Sequence, residues 1–166
     1  MNKEIFKQQE NPVDFGEMEP TFFLIGLLNE FMNRYQTVGN HFFEEISWKQ
    51  NFAIACISFF KYPPTLKELS ELLGSSHQNV KQLIVKLEKT GFVSLVVDEY
   101  DKRKQRIMLT EKARILDEKY RDASRYFMEQ LFQGIDQQNI EITIDTIQKM
   151  DERLKNIKYD VLSRQI

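Results

Sequence analysis

Cysteine is almost absent from this 166-residue chain: Cys56 stands alone, which excludes an intramolecular disulfide framework and any Cys-Cys metal clip. Histidine is scarce too. His41 and His77 are the only two, neither belongs to a recognisable metal-ligand set, and no metal is expected. No glycine-rich phosphate loop occurs and no serine elbow, so no cofactor is expected and enzyme chemistry is not the reading. Long apolar runs are missing as well. The stretch Phe22 to Leu28 is too short to span a bilayer, and no charged segment leads into a signal-like run, so the expected compartment is the cytoplasm with no membrane partner. Finally, the chain lacks an excess of positive charge: its net charge is −2, where a nucleic-acid binder is usually basic.

The distribution of that charge matters more than its sum. Residues 61–114 carry eleven basic side chains against seven acidic ones, a surplus of four, while the remainder has an acidic excess of six. The middle is basic and the ends are acidic. At this length, with 42% hydrophobic residues, the chain can fill one core and still carry helical extensions.

Within the basic middle, two short helical patterns flank a tight corner. Thr65 and Glu68 have capping-box spacing ahead of Leu66, Leu69, Leu72 and Leu73; Pro63 and Pro64 precede the helix, and Gly74 ends it. A second helix starts at Ser75 or Ser76, where Ser75 and Gln78 again have box spacing, and runs toward Gly91 with Val80, Leu83, Ile84 and Leu87 on one face. Its other face bears His77, Gln78, Asn79, Lys81, Gln82 and Lys86. Amides there can bond adenine edges in a bidentate way, and the lysines can neutralise phosphates. From Ser70, Gly74 falls four later, Val80 ten and Leu83 thirteen, the spacing with which a helix-turn-helix packs its elbow. A plain helical hairpin with a solvated face fits these residues alone equally well.

The next segment adds weight to the first reading. Phe92, Val93, Leu95 and Val97, then Ile107 and Leu109, read as two strands around the polar stretch from Asp98 to Arg106. Lys102, Arg103, Lys104 and Arg106 at its tip can enter a minor groove or grip phosphates. Charged tips also protect edge strands from aggregation, but a polar helix face followed at once by a basic hairpin is an uncommon pairing. The expected DNA contacts are Ser75, Ser76, His77, Gln78, Asn79, Lys81, Gln82, Lys86, Lys102, Arg103 and Lys104.

The order Leu66 to Leu73, Ser76 to Gly91, and above all Asp101-Lys102-Arg103 followed by Ile107-Met108-Leu109-Thr110, resembles the winged helix-turn-helix regulators of the MarR (multiple antibiotic resistance regulator) family. The resemblance extends over nearly all of the chain after residue 20. It implies that Arg103 enters the minor groove, that Asp101 steadies it, that the output is repression, and that a small-molecule effector releases the DNA. Ala113 departs from the glycine many members carry there, a harmless change inside a helix. His77, Gln78 and Asn79 are individual, so no operator sequence follows.

The flanks read as assembly helices. From Pro20, residues Leu24, Leu27, Leu28, Phe31, Tyr35, Val38, Phe42 and Ile46 keep helical spacing, and Phe22, Phe23, Ile25, Met32 and Phe43 supply a second apolar face. Beyond the wing, Ala113, Leu116, Tyr120, Ala123, Phe127 and Leu131 form a stripe closed by Gly134; Asp136 then caps a helix bearing Ile140, Ile144, Ile147, Leu154, Ile157 and Val161. A homodimer that packs both ends across a two-fold axis would cover these surfaces. The expected fold is mainly α with a small β-hairpin wing. Residues 1–19 form an arm, 20–46 and 111–166 dimerisation helices, and 47–110 a winged helix-turn-helix that binds double-stranded DNA.

Ser47 and Gln50 repeat the capping spacing before a helix expected to turn Phe52, Ala55, Cys56 and Phe59 inward. Cys56 has no cation nearby in sequence and falls on an apolar stripe, which favours packing over redox sensing. Tyr35, His41, Phe42, Phe59 and Tyr62 fit core positions or, under the resemblance, the wall of an effector pocket. Two rival functions stay open at this level: a winged-helix protein-interaction module that does not bind DNA, and a cysteine-based redox sensor.

Overall fold

The computed structural model describes residues 18–157 together with residue 16. Most of the arm expected over residues 1–19, and Val161 of the last stripe, lie outside the described residues. In order come α1 (Pro20–Phe42), α2 (Trp48–Ser58), α3 (Leu66–Leu72), α4 (His77–Lys89), β1 (Val93–Val97), β2 (Gln105–Leu109), α5 (Glu111–Leu131) and α6 (Gln137–Asn156). The fold is mainly α with one β-hairpin, as the periodicities predict.

Local chemistry sets most helix starts. Ser47 with Gln50 and Thr65 with Glu68 both close full capping boxes, each satisfying two backbone donors that a helix N-terminus leaves open. Pro20 occupies the first turn of α1, where its missing N–H costs nothing. Asp136 holds the N-cap position of α6, but its side chain accepts no capping bond, contrary to the expectation.

Two apolar assignments change with the tertiary structure. α1 stops at Phe42 rather than continuing through Ile46; Phe43 is extended, and Ile46 is buried outside the helix. The chain has to turn there so that α2 can start at the Ser47 cap, and the Trp48 N–H donates to Asn40 Oδ1 at 2.9 Å. In α2 the buried residues are Ala53, Ile54, Cys56 and Ile57, whereas Phe52 faces out and Phe59, at the C-cap, is 76% exposed. That helix is apolar almost all round, so its periodicity selects no face. Its neighbours α1, α3 and β2 do.

The core of the winged unit joins those α2 residues to Leu69, Val80, Ile84, Leu87, Phe92, Val93 and Ile107. Each of these seven retains at most 2% of its surface, so truncating a leucine among them costs about 2–5 kcal/mol. β1 and β2 pair antiparallel from Val93 opposite Leu109 to Val97 opposite Gln105. Burial along β1 fades outward from Val93 instead of alternating, because the hairpin projects from the core as it lengthens. Its base is fastened to the segment before α3: the Ile107 N–H donates to Pro64 O at 2.8 Å, and Thr65 bridges Arg106.

The chain divides into two compact units, with the boundary between Arg114 and Ile115. In the first, Thr110 Oγ1 donates to Gly91 O at 2.7 Å, and Lys112 Nζ donates to Thr90 O while lying 4.4 Å from the centre of the Phe92 ring. These contacts tie the start of α5 to the end of α4. The second unit holds the rest of α5, a turn in which Gly134 takes a φ of +77°, and α6. No residue of α6 is buried. Among the described residues no helix is long and apolar enough to cross a membrane.

Candidate nucleic-acid interface

The corner between α3 and α4 is built by three residues. Gly74 takes a φ of +58°, a left-handed conformation that glycine adopts at low cost; Ser75 N–H donates to Ser70 O at 3.1 Å; buried Ser70 folds its hydroxyl back onto Leu66 O at 2.7 Å. Ser75 is thereby used to close α3. The box expected between Ser75 and Gln78 does not form, and Ser76 is the cap, its Oγ accepting from the Asn79 N–H at 3.3 Å.

With that start fixed, the 3.6-residue period turns Val80, Ile84 and Leu87 into the core and leaves Leu83 half-buried. Ser75, Ser76, His77, Gln78, Asn79, Lys81, Gln82 and Lys86 are all exposed. Neither Lys81 nor Lys86 has a carboxylate within ion-pair distance among the described residues. Their charge is available to a partner.

The hairpin is organised by one carboxylate. Asp98 is only 6% exposed; its Oδ1 accepts from the backbone N–H groups of Tyr100 and Asp101 at 2.9 and 2.8 Å, and its Oδ2 accepts from Arg106 Nε at 2.5 Å. The Asp101 amide, then the Arg106 guanidinium and the Tyr100 amide, hold the Asp98 carboxyl down to about 2. Arg106 also donates from Nη1 to Pro63 O and to Glu68 Oε2, both at 3.2 Å. Arg106 therefore does not belong with the free cations of the tip, where its sequence position put it. It is a strut from the wing to the start of α3.

The remaining tip residues are presented outward. Lys102 has no carboxylate partner among the described residues. The Arg103 side chain is 91% exposed, with Nε 3.1 Å from Asp101 Oδ1, and Lys104 Nζ lies 3.4 Å from Asp101 Oδ2. Asp101 thus steadies both cations, and its own carboxyl is pulled below the ordinary range, chiefly by the Arg103 side chain. Exposed pairs of this kind are worth little in isolation, so they orient Arg103 without competing strongly with a phosphate.

Other candidates separate cleanly. Cys56 is buried, and burial pushes its thiol up, away from the thiolate that redox chemistry needs. Among the described residues no group of three or more His, Cys, Asp or Glu side chains gathers as a metal site would require. Of the aromatic residues ambiguous in sequence, Tyr35 stacks on Phe31 and meets Trp48 edge-on at 5.1 Å, while Phe42 meets Phe43; Phe59 and Tyr62 are largely exposed.

A helix, a glycine corner, a polar second helix and a cationic hairpin pinned to the first helix define a winged helix-turn-helix protein. No family model matches the chain. Solved structures do. A MarR transcriptional regulator from Methanosarcina mazei Go1 shares 26% identity, with 81% of this chain and 99% of that one covered and a TM-score of 0.65. FabT of Streptococcus pneumoniae, solved in complex with DNA, shares 19% identity over 83% and 99% of the two chains at a TM-score of 0.62. The organohalide-sensing regulator RdhR, in its 2,4-dichlorophenol-bound form, shares 15% identity over 92% of each chain at a TM-score of 0.75. The architecture of this chain is that of the MarR-family winged-helix regulators.

Proposed function

We propose that this chain is a DNA-binding transcriptional regulator of the MarR type, acting as a homodimer and releasing its operator on binding an effector. One observation carries the reading: a single winged unit exposes both the uncovered polar face of α4 and a cationic hairpin tip. Residues 47–110 are the DNA-binding domain, with Ser75, Ser76, His77, Gln78, Asn79, Lys81, Gln82 and Lys86 in a major groove and Lys102, Arg103 and Lys104 at the flanking minor groove. The phosphate-directed cations number five in each copy. Ten in a dimer give a salt slope of about −9, hence an affinity loss of about 10⁵-fold between 50 and 200 mM salt.

The dimer is supported by apolar surface that one copy leaves uncovered. Phe22 on α1 is 72% exposed, and Ile25, Phe31 and Val38 are exposed with it; on α6, Ile144 is 50% exposed beside exposed Ile142, Ile147 and Leu154. Water-facing apolar stripes on this scale mark a partner, and a second copy satisfies both ends at once. Residues 20–46 and 111–166 are assigned to that contact. The dichlorophenol bound to RdhR supports an aromatic effector; it acts by binding one spacing of the two reading helices more tightly than the other, and repression is the proposed output.

Titration of labelled duplexes against salt tests the reading directly. Arg103→Ala weakens binding to all sequences, whereas Gln78→Ala and Asn79→Ala relax base preference; wild-type affinity and selectivity in all three would overturn the site. Sedimentation tests the assembly, and a stable single subunit at micromolar concentration would remove the dimer.

A further inference from the structure

Beside the reading helix lies an open cleft of about 460 Å³, with Trp48, Lys49 and Phe52 of α2 on one side and Asn79, Gln82 and Lys86 of α4 on the other. Trp48 and Phe52, both lining the cleft, stack with ring centres 5.0 Å apart and planes at 14°. No carboxylate lines it, yet two ammonium groups do. Neither Lys49 nor Lys86 has an ion-pair partner among the described residues. The cleft near Tyr62 differs, because Glu68, Asp98 and Glu99 offset the charge of Lys61 and Arg106 there.

We propose that the cleft between α2 and α4 seats a phosphate of the DNA backbone, held between Lys49 and Lys86. The proposal rests on the DNA-binding reading above and deepens it by adding a contact from α2, an element otherwise assigned to core packing. Asn79, Gln82 and Lys86 succeed one another at spacings of three and four, so they form one stripe along α4. A strand beside that helix in a major groove runs along the stripe and past the mouth of the cleft. The anion is gripped by the two ammonium groups; of the first backbone donors of α2, the Trp48 N–H is taken by Asn40 and the Gln50 N–H by Ser47. A phosphate contact of this kind sets register without reading sequence.

The test uses the full-length chain with an operator duplex and an unrelated duplex, each titrated from 50 to 200 mM salt. With Lys49 the cations on DNA number about twelve per dimer, so the wild-type slope steepens to about −11; Lys49→Ala removes two of them, the slope returns to about −9, and the salt-induced loss of affinity becomes about tenfold smaller, equally on both duplexes. Lys49→Arg restores most of it. Trp48 is the chain's only tryptophan and lines the cleft, so its emission changes when wild type binds DNA, and the change is diminished in Lys49→Ala. Wild type that binds duplexes while Lys49→Ala matches its affinity and slope would overturn this contact alone. An effect confined to the operator would overturn it too, as base reading. Wild type that ignores every duplex in dilute salt would overturn the DNA-binding reading and this contact with it.

Discussion

Gly39 is the one buried residue of α1, and its missing side chain sets how closely α1 and α2 approach. A Cβ there would sit inside the Trp48 indole, against Cδ1, 2.6 Å from Cγ and 3.0 Å from the Trp48 Cβ. Swinging the ring away does not relieve the last contact, because that Cβ is fixed to the α2 backbone. Gly39→Ala therefore either separates the helices or expels the indole from its contacts with Tyr35 and Phe52. Two effects oppose each other. Alanine gains about 1 kcal/mol over glycine in a helix interior. Overpacking costs about 1–3 kcal/mol, and aromatic pairs of this geometry add about 0.5–1.5 kcal/mol each. The clash wins, with a net destabilisation of about 2 kcal/mol. For a chain of this size that corresponds to a fall in Tm of about 4–8 °C. Trp48 reports the same event optically, since its emission shifts to the red as the ring gains water. Thermal melts followed by circular dichroism, with emission spectra at 25 °C, check both. A Gly39→Ala chain that melts at or above wild type with an unchanged spectrum would refute the reasoning.

Two further outcomes follow from buried groups. The Asp98 carboxyl titrates at about 2 in the folded chain against an ordinary 3.8, so the stabilisation it provides is complete above about pH 4 and disappears as pH falls toward 2. Asp98→Asn accordingly lowers Tm most near neutral pH, and the gap to wild type closes between pH 4 and 2; a gap that stays constant over that range would remove the carboxylate from its organising role. Cys56→Ser places a hydroxyl in an apolar site and costs about 1–3 kcal/mol, while peroxide leaves DNA binding unaltered in both chains. Peroxide-induced release that vanishes in Cys56→Ser would instead make the thiol a sensor.

Much of the winged unit is legible in the order of residues because its determinants are local. The boxes Ser47–Gln50 and Thr65–Glu68, and the corner at Gly74, are contacts between residues three or four apart or the conformation of one residue, so spacing is enough to find them. The polar face of α4 follows from the same period, once the helix has a start. Choosing between Ser75 and Ser76 as that start required the hydrogen bond from Ser75 to Ser70, which belongs to the turn as a folded whole.

What spacing does not contain is pairing across distance. Arg106 looked like one more wing cation because its neighbours in sequence are Lys102, Arg103 and Lys104, yet its guanidinium bonds Asp98 eight residues back and Glu68 thirty-eight residues back. Phe52 and Phe59 looked inward because α2 is apolar all round and offers no contrast from which to choose a face. Gly39 and Lys49 carried no signal at all: the first matters only where two helices meet, the second only because the fold brings α2 to the same cleft as the reading helix. Residue order by itself determined where most helices begin, which stripe of α4 is polar, and that a basic hairpin follows the second of two linked helices, because these depend on short-range sterics and donors. The tertiary structure alone decided which cations are struts and which are free, since a charge has a partner only after the chain has brought the partner to it.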